Sequence, residues 1–299
     1  MSKFNPRYKH IEINSRSVQK YTVNDPHRNI FKTRQTGRFG NQMFEYMFWY
    51  LMAMQYGGIF KKSYLKPFPA PFDNLPNIIQ FDTPVDVGLS GYKEKIPGYP
   101  MNIKYYAANR ELLINSLNIP QFKVKYDLVV HIRLDDVFGN HPDYTVLPFS
   151  FYKDCFASIK KTYDTSKFKI LLIGRPINDF QKKIFMDIQK YITLLSGSKK
   201  VMAQSGTMTE DLVALMQSRI LIASTSSFWF WPSFLSLNSR RVYIPIFGQT
   251  NMYYYFSNDT KFYKKYAVRS IDKNYKIYGF ILNIKEKIYK DQIQTMYEK

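Results

Sequence analysis

An arginine and two acids follow an apolar run in the middle of the chain. The run reads Asp127-Leu-Val-Val-His131-Ile-Arg133-Leu-Asp135-Asp136. Because side chains alternate along a strand, His131, Arg133 and Asp135 are predicted to share one face. Open α/β sheets bind ligands at the carboxyl ends of their strands, and an arginine there can hold two phosphate oxygens. The alternative is structural: Arg133 pairs with Asp135 or Asp136 and ties down a loop.

Four small hydroxyl residues follow a second predicted strand, at 219–223. They are Ser224, Thr225, Ser226 and Ser227. Hydroxyls and exposed backbone N–H groups at the start of a helix bind phosphate without a lysine. The alternative is an ordinary serine-rich cap in front of an aromatic core helix. The aromatic residues 228–231 are predicted to be core rather than a platform for stacking bases.

A glycine-containing segment, Gly37-Arg38-Phe-Gly40-Asn41-Gln42, precedes a long apolar run. Glycine lets the backbone approach a ligand closely, and Asn41 is predicted to cap the following helix and to orient a polar group. The string is neither the dinucleotide fingerprint nor the P-loop, and both are absent from the sequence. An Asp-x-Asp triplet is absent too. A bound diphosphate would therefore be held by arginine and backbone amides, without a metal.

The second half of the chain alternates apolar strands with helices. Strands are predicted at 125–133, 168–174, 200–203, 219–223 and 241–246, and helices at 176–190 and 209–218. This alternation indicates an α/β fold with an open, doubly wound parallel sheet over 123–299. Glu210 and Asp211 lie in the first turn of the second helix, where they complement its dipole.

The first half is less regular. Residues 1–30 are interpreted as a loosely ordered leader, and 31–122 as a separate N-terminal lobe. A short strand and turn at 31–40 lead into a buried helix that ends at Tyr56, with Gly57 as its stop. Residues 57–100 are rich in proline and glycine and are predicted to form loops with short elements, where a substrate surface could form. The tail, 264–299, is predicted to be a basic helical segment.

Composition excludes several classes. A single cysteine rules out a disulfide framework, and four histidines without a His-Glu-x-x-His pair make a zinc hydrolase an unsuitable assignment. The net charge of +20 attracts nucleic acid, an acidic membrane surface or phosphorylated substrates, although it is dispersed along the sequence. No secretory signal and no clean membrane span are found. We expect a soluble cytoplasmic protein, with peripheral attachment to an anionic membrane left open.

The three segments resemble a known family in their order and spacing. Gly37-Arg-Phe-Gly-Asn-Gln-Met-Phe-Glu-Tyr46 resembles the opening motif of the family 11 α-1,2-fucosyltransferases, and its first six residues also resemble protein O-fucosyltransferases. His131-Ile-Arg133 is similar to a His-x-Arg element of both. The stretch from Asp211 through Ser224-Thr-Ser-Ser-Phe-Trp resembles a third family block. The departures are Leu134 and Asp135, where the family has a second arginine and a glycine, and Trp229-Phe-Trp, where it has Ser-Trp-Trp.

This resemblance implies a GT-B glycosyltransferase with two Rossmann-like lobes, of which the N-terminal lobe, 31–122, would lie on the acceptor side. GDP-fucose would bind in the C-terminal lobe, and transfer to a glycan hydroxyl would invert the sugar, without metal or other cofactor. Arg133 would hold the diphosphate, Asn41 would reach across from the first lobe, and Asp211 would recognise guanine. The predicted donor-binding residues are Gly37, Arg38, Gly40, Asn41, His131, Arg133, Asp211, Ser224, Thr225, Ser226, Ser227 and Phe228.

The catalytic candidates are Arg133, Asn41, Asp135 and Asp136, with either aspartate as the general base and Glu45 as a remote third choice. Two alternatives remain within the class: another GDP-sugar as donor, or a degenerate member that only binds. Outside the class, the alternative is a basic protein that binds nucleic acid or an anionic membrane surface without catalysis.

Overall fold

The chain forms two compact units, Met1–Ile119 and Pro120–Lys299. The computed structural model describes residues 18–20, 29–33, 37–63, 67–89, 103–137, 146–246, 266–270 and 274–282. Most of the predicted leader, 1–30, therefore lies outside the described residues. Its described parts are two strands, β1 (Val18–Lys20) and the start of β2 (Asn29–Lys32), which pair antiparallel.

The first unit is built around one long helix and a small mixed sheet. Helix α1 (Phe39–Tyr56) connects β2 to β3 (Gly58–Lys61), and these two strands are parallel neighbours. Strand β4 (Ile78–Phe81) adds antiparallel to β3, which gives the order β1-β2-β3-β4. Two short helices, α2 (Lys104–Ala107) and α3 (Arg110–Ser116), follow.

Helix α1 is buried on nearly all sides, as its continuous apolar sequence predicts, and it ends at Gly57 with a positive φ of 64°. Its start differs from the prediction: the helix begins at Phe39, so Asn41 lies inside the first turn and is not the cap. Gly37, with a φ of 76°, turns the chain early. The amide nitrogen of Gln42 then donates to the Arg38 oxygen at 3.1 Å, and its side-chain nitrogen donates to the Gly37 oxygen at 2.9 Å.

The second unit is a seven-stranded sheet flanked by helices. Its strands are β5 (Tyr126–Ile132), β6 (Lys169–Gly174), β7 (Lys200–Gln204), β8 (Ser218–Ile222), β9 (Arg241–Ile246), β10 (Tyr266–Ser270) and β11 (Lys276–Ile281). The helices are α4 (Phe149–Lys160), α5 (Asp179–Ser196), α6 (Met208–Met216) and α7 (Phe230–Leu235). Six strands are parallel, and β10 is antiparallel at one edge. The predicted α/β fold with a parallel sheet is confirmed for this unit.

The path of the chain through this sheet changes direction once. From β5 the chain moves outward to β6 and β7, and it then returns to place β8 on the other side of β5, followed by β9 and β11. The six parallel strands thus have the doubly wound order 3-2-1-4-5-6. The carboxyl ends of β5 and β8 flank the point of reversal, which is where sheets of this kind bind their ligands.

The buried residues of neighbouring central strands lie opposite one another. Leu128 lies opposite Ile170 on one side and Ile220 on the other, and all three are almost fully buried. Because each central strand is covered by helices on both faces, its sequence is a continuous apolar run rather than an alternating one. Helix α4, which packs against α5, had no prediction from the sequence.

The prediction of a helical tail is wrong where the structure describes it, because β10 and β11 are strands. The residues of β11 include Ile277, Tyr278 and Phe280, which are aromatic or β-branched and therefore favour a sheet. A Cβ on Gly279 would lie 2.6 Å from Ile246 Cδ1, so glycine allows the close approach of β11 to β9. The parallel pairing with β9 determines that β11 is a strand. This pairing is a long-range contact, so the local charge pattern of the tail does not reveal it.

Within the described ranges, no helix combines the length and apolar character needed to cross a bilayer.

Candidate functional site

Two loops meet at the reversal point of the second unit's sheet. One follows β5 and contains Arg133; the other follows β8 and contains the hydroxyl run that begins at Ser224. The Arg133 Nη1 atom donates to the Thr225 carbonyl oxygen at 3.1 Å. The Ser224 Oγ atom lies 2.9 Å from His131 Nδ1. Segments that are 92 and 93 residues apart in sequence are thus joined by direct hydrogen bonds at the carboxyl ends of neighbouring strands.

Arg133 is held by a carboxylate of its own loop. Its Nε donates to Asp136 Oδ1 at 2.7 Å and its Nη2 donates to Oδ2 at 2.6 Å, so the pair is bidentate. The guanidinium side chain is only 9% exposed. The structural alternative in which Arg133 pairs with Asp136 is therefore observed. The pair fixes the plane of the guanidinium, and it also offsets part of the charge that a phosphate would meet.

The side chain of Asp135 takes a different position from that of Asp136. Its Oδ1 atom accepts the backbone N–H of Asp136 at 3.1 Å. Asp136, the other predicted base, accepts both of the short Arg133 hydrogen bonds. Glu45, the remote third candidate, is 4% exposed inside α1 of the first unit.

His131 is buried under the same loops. Burial, together with the nearby Arg133 charge, lowers its pKa to about 3, so the imidazole is neutral at physiological pH. Its ring lies 5.5 Å from the ring of Phe228, centroid to centroid. A neutral ring that bonds Ser224 and contacts Phe228 connects the two loops. It is not poised to exchange protons near neutral pH.

The four residues of the hydroxyl run are buried, and they lie before the helix rather than in its first turn. All four residues, Ser224, Thr225, Ser226 and Ser227, are less than 9% exposed. The Ser226 Oγ atom accepts the Phe228 backbone N–H at 3.2 Å, and the Ser226 N–H bonds the Ser224 oxygen at 2.8 Å. The helix, α7, begins only at Phe230. The fully buried side chains of Trp229 and Trp231, which confirm the prediction of an aromatic core, draw the turn inward.

Asp211 lies in the first turn of α6, along the same edge of the sheet. Its Oδ1 accepts a hydrogen bond from Gln204 Nε2, at the end of β7, at 3.2 Å. Burial raises its pKa to about 6; the Gln204 bond opposes this shift, the neighbouring Glu210 charge adds to it, and the Arg175 charge opposes it. Helix α6 is fixed by a capping box between Thr207 and Glu210.

Two residues of this edge were not predicted. Arg175 is exposed directly after β6, and Gln204 ends β7. Each is a polar side chain at the end of an apolar strand, which is the signal that identifies Arg133. The strands β6 and β7 were predicted, so the same rule applied to 168–174 and 200–203 would have found both residues.

The other predicted residues belong to the first unit. Gly37 and Arg38 are exposed before α1, Gly40 is buried in its first turn, and Asn41 is half-buried. The structure thus brings His131, Arg133, Asp136 and the hydroxyl run together within the second unit. Among the described residues, no group of three or more histidine, cysteine or acidic side chains could hold a metal ion.

No protein-family model matches the chain, and no curated protein sequence gives a significant match to it.

Proposed function

We propose that this protein is an inverting glycosyltransferase that transfers L-fucose from GDP-fucose to a hydroxyl of a glycan acceptor, with an α-1,2 linkage. One observation carries the proposal: the loops after β5 and β8 are joined at the reversal point of a doubly wound sheet, through Arg133 and Thr225. Nucleotides bind at that point in sheets of this order. The reaction itself is inferred from the resemblance of these same loops to fucosyltransferase motifs.

The diphosphate of the donor would lie beside Arg133. When an acceptor hydroxyl attacks the anomeric carbon, the bond to the diphosphate breaks and charge develops on the leaving oxygen. A preorganised cation stabilises that charge. Because Asp136 offsets part of the Arg133 charge, a second cation is needed, and the candidate is the exposed Arg175, directly after the neighbouring strand β6. In this proposal the two arginines take the place of a metal ion.

The base of the nucleotide would contact Asp211. Guanine presents two adjacent N–H donors, from its ring and its amino group, and an ionised carboxylate accepts both. Uracil and adenine do not present such a pair. The pKa of about 6 leaves Asp211 mostly ionised at neutral pH and makes recognition sensitive to mild acid. The specificity for a guanosine diphosphate sugar therefore rests on Asp211 in this proposal.

The first unit would supply the acceptor side of a two-lobed GT-B enzyme. Asn41, at the start of α1, is proposed to reach the donor, and Gly37, Arg38 and Gly40 to line its approach. Asp135 is proposed as the general base that takes the acceptor proton, since Asp136 pairs with Arg133.

Calorimetric titration with GDP-fucose, GDP-mannose and UDP-galactose tests the proposal. We expect saturable binding of both guanosine nucleotides, tightest for GDP-fucose, and none of UDP-galactose. Equal heats for the two guanosine donors would indicate another GDP-sugar enzyme. Absence of heat with all three would overturn the assignment. Binding that is indifferent to the nucleotide and falls steeply with salt would identify a general polyanion binder instead.

A matched pair of variants separates the role of Arg133 from general charge. Arg133→Ala combined with Asp136→Ala removes the ion pair without leaving a half-buried carboxylate alone. Arg219→Ala is the control, because Arg219 lies at the opposite end of the neighbouring strand β8 and is 61% exposed. GDP binding should be lost in the first protein and retained in the second.

A further inference from the structure

The edge of the second unit's sheet at which the parallel strands begin is strongly basic. Each of the six parallel strands has a lysine or arginine at its first residue or within two residues of it. The pairing brings these cations into one row. Lys200 lies opposite Lys169, the Arg240 N–H donates to the Arg219 oxygen at 2.8 Å, and the Lys276 N–H donates to the Arg240 oxygen at 2.9 Å.

We call this row, with the helix ends and turns that lead into it, the basic edge. Its cations are Lys123, Lys125, Lys160, Lys161, Lys167, Lys169, Lys199, Lys200, Arg219, Arg240, Arg241 and Lys276. Among the described residues of the same segments, the acids are Asp127 and Asp164. Both are paired, Asp127 with Arg219 at 3.8 Å and Asp164 with Lys167 at 3.3 Å. Charges that are dispersed in the sequence are therefore gathered by the fold on one surface.

Several of these cations are held in place by aromatic rings. The Nζ atoms of Lys125 and Lys169 lie 5.4 and 5.3 Å from the centroid of Tyr126. Arg241 lies 4.9 Å from the ring of Tyr163, and its Nη1 donates to Thr162. The rings face cations of the chain itself, so these tyrosines do not offer open faces for stacking nucleobases.

Apolar side chains lie among the cations. Val124 is 39% exposed and Leu237 is 52% exposed. The Leu237 N–H donates to the Gln121 side-chain oxygen at 2.8 Å, which places the two segments side by side. Exposed aliphatic side chains set among lysines are the composition of protein surfaces that bind anionic bilayers. A nucleic-acid surface would instead offer aromatic or arginine faces to the bases.

We propose that the basic edge docks on an anionic lipid bilayer, with the cations at the headgroups and Leu237 and Val124 inserted between them. Strand β5 spans Tyr126–Ile132, so the carboxyl edge would stand about 20 Å farther from the lipid. The candidate site would then face the aqueous side rather than the bilayer. The docking does not depend on the proposed reaction.

Vesicle co-sedimentation tests the docking directly. The probes are phosphatidylcholine vesicles with and without phosphatidylserine. We expect binding only with the anionic lipid and release at about 1 M salt, because screening then reduces the attraction to contact distance. Equal binding to both vesicle types, or to neither, would overturn the proposal.

Two variants of equal charge locate the surface. The first replaces Lys123, Lys125, Lys199 and Lys200 of the basic edge with glutamine; the second replaces the exposed helix lysines Lys153, Lys182, Lys183 and Lys190. Each cation near the lipid contributes about fivefold in affinity, so the first variant should lose on the order of several hundredfold. The vesicle affinity of the second variant should stay within a few-fold of the parent's, because charges far from the bilayer are screened by salt. Equal losses would show that net charge alone is responsible.

Leu237→Gln tests the apolar part of the surface. It should weaken vesicle binding about tenfold and leave the melting temperature unchanged, because the side chain is exposed. A single-stranded polynucleotide that displaced the protein from vesicles at equal charge concentration, or a Leu237→Gln protein that bound like the parent, would overturn the lipid assignment.

Discussion

The two edges of one sheet in the second unit differ in how their charges are arranged. At the carboxyl edge, the described loops after β5 to β8 contain two arginines and two aspartates, and Arg133 is locked to Asp136 by two short bonds. At the basic edge, lysines and arginines far outnumber the two acids among the described residues. In the described residues, the charges are balanced at the carboxyl edge, where Arg133 is buried, and they are unbalanced at the basic edge.

This difference corrects an inference from composition. The net charge of +20 is compatible with phosphorylated substrates, yet the described residues of the candidate nucleotide site hold little of that charge. A diphosphate would be recognised by a few oriented donors, whereas a charged surface needs many cations and little orientation. The overall charge therefore bears on what the basic edge binds and not on how the candidate site would recognise a diphosphate.

The largest expected effect is on stability. Trp231→Ala removes a fully buried side chain of α7, which contacts Phe230 and Phe234, and should lower the free energy of unfolding by about 3–5 kcal/mol. Leu237→Ala, six residues later at the basic edge, should change it by less than about 0.5 kcal/mol. Urea unfolding monitored by circular dichroism compares the two. Similar losses of unfolding free energy in both variants would mean that Leu237 at the basic edge is packed as tightly as Trp231.

The next effect is on turnover. Arg133→Lys keeps the charge but cannot form the planar, two-pronged contact, so the rate of the proposed fucose transfer should fall about 10²–10³-fold. The control is Arg219→Lys, the same substitution in an exposed arginine at the other edge, which should leave the rate unchanged. A wild-type rate for Arg133→Lys, measured with saturating GDP-fucose, would remove this arginine from the mechanism.

The third effect depends on pH. GDP should bind to the ionised form of Asp211, so affinity should fall as the pH drops through about 6, by about tenfold one pH unit below that value. Asp211→Asn should bind GDP weakly at every pH. Asp179→Asn, in the exposed first turn of α5, should keep the parent profile.

The same residue gives a stability readout of opposite sign. The pKa of Asp211 in the folded protein is above its ordinary value, so the protonated form favours folding. That contribution is present below the ordinary pKa and is lost as the pH rises through about 6. Asp211→Asn should therefore unfold at a higher urea concentration than the parent at neutral pH. A variant that lost both GDP binding and stability would show a structural role only.

The sequence was sufficient for the parallel sheet because its central strands are buried on both faces and form continuous apolar runs, such as Leu128 to Val130. It also located Arg133 and the hydroxyl run. It could not decide whether Arg133 faces a ligand or pairs with an acid of its own loop. Asp135 and Asp136 follow within three residues, so an ion pair is as compatible with the sequence as a ligand contact. Nor could it show the basic edge, since only the cross-strand register brings Lys169, Lys200 and Arg219 into one row.

The smallest effect tests the repulsion within that row. Lys169 and Lys200 are direct partners on the parallel strands β6 and β7, and like charges at paired positions destabilise a sheet. Lys200→Glu converts the pair to opposite charges and should raise the free energy of unfolding by about 0.2–1 kcal/mol at low salt. The gain should vanish at about 1 M salt, where the Debye length is only about 3 Å.

Lys183→Glu on α5 is the control for this prediction. It makes the same charge change at an exposed helix position outside the basic edge, and it should give no comparable gain. If both variants gained equally, relief of the overall positive charge would account for the result. If only Lys200→Glu gained, the basic edge carries a repulsion that folding alone does not require, as expected of a surface whose cations are placed for an anionic partner.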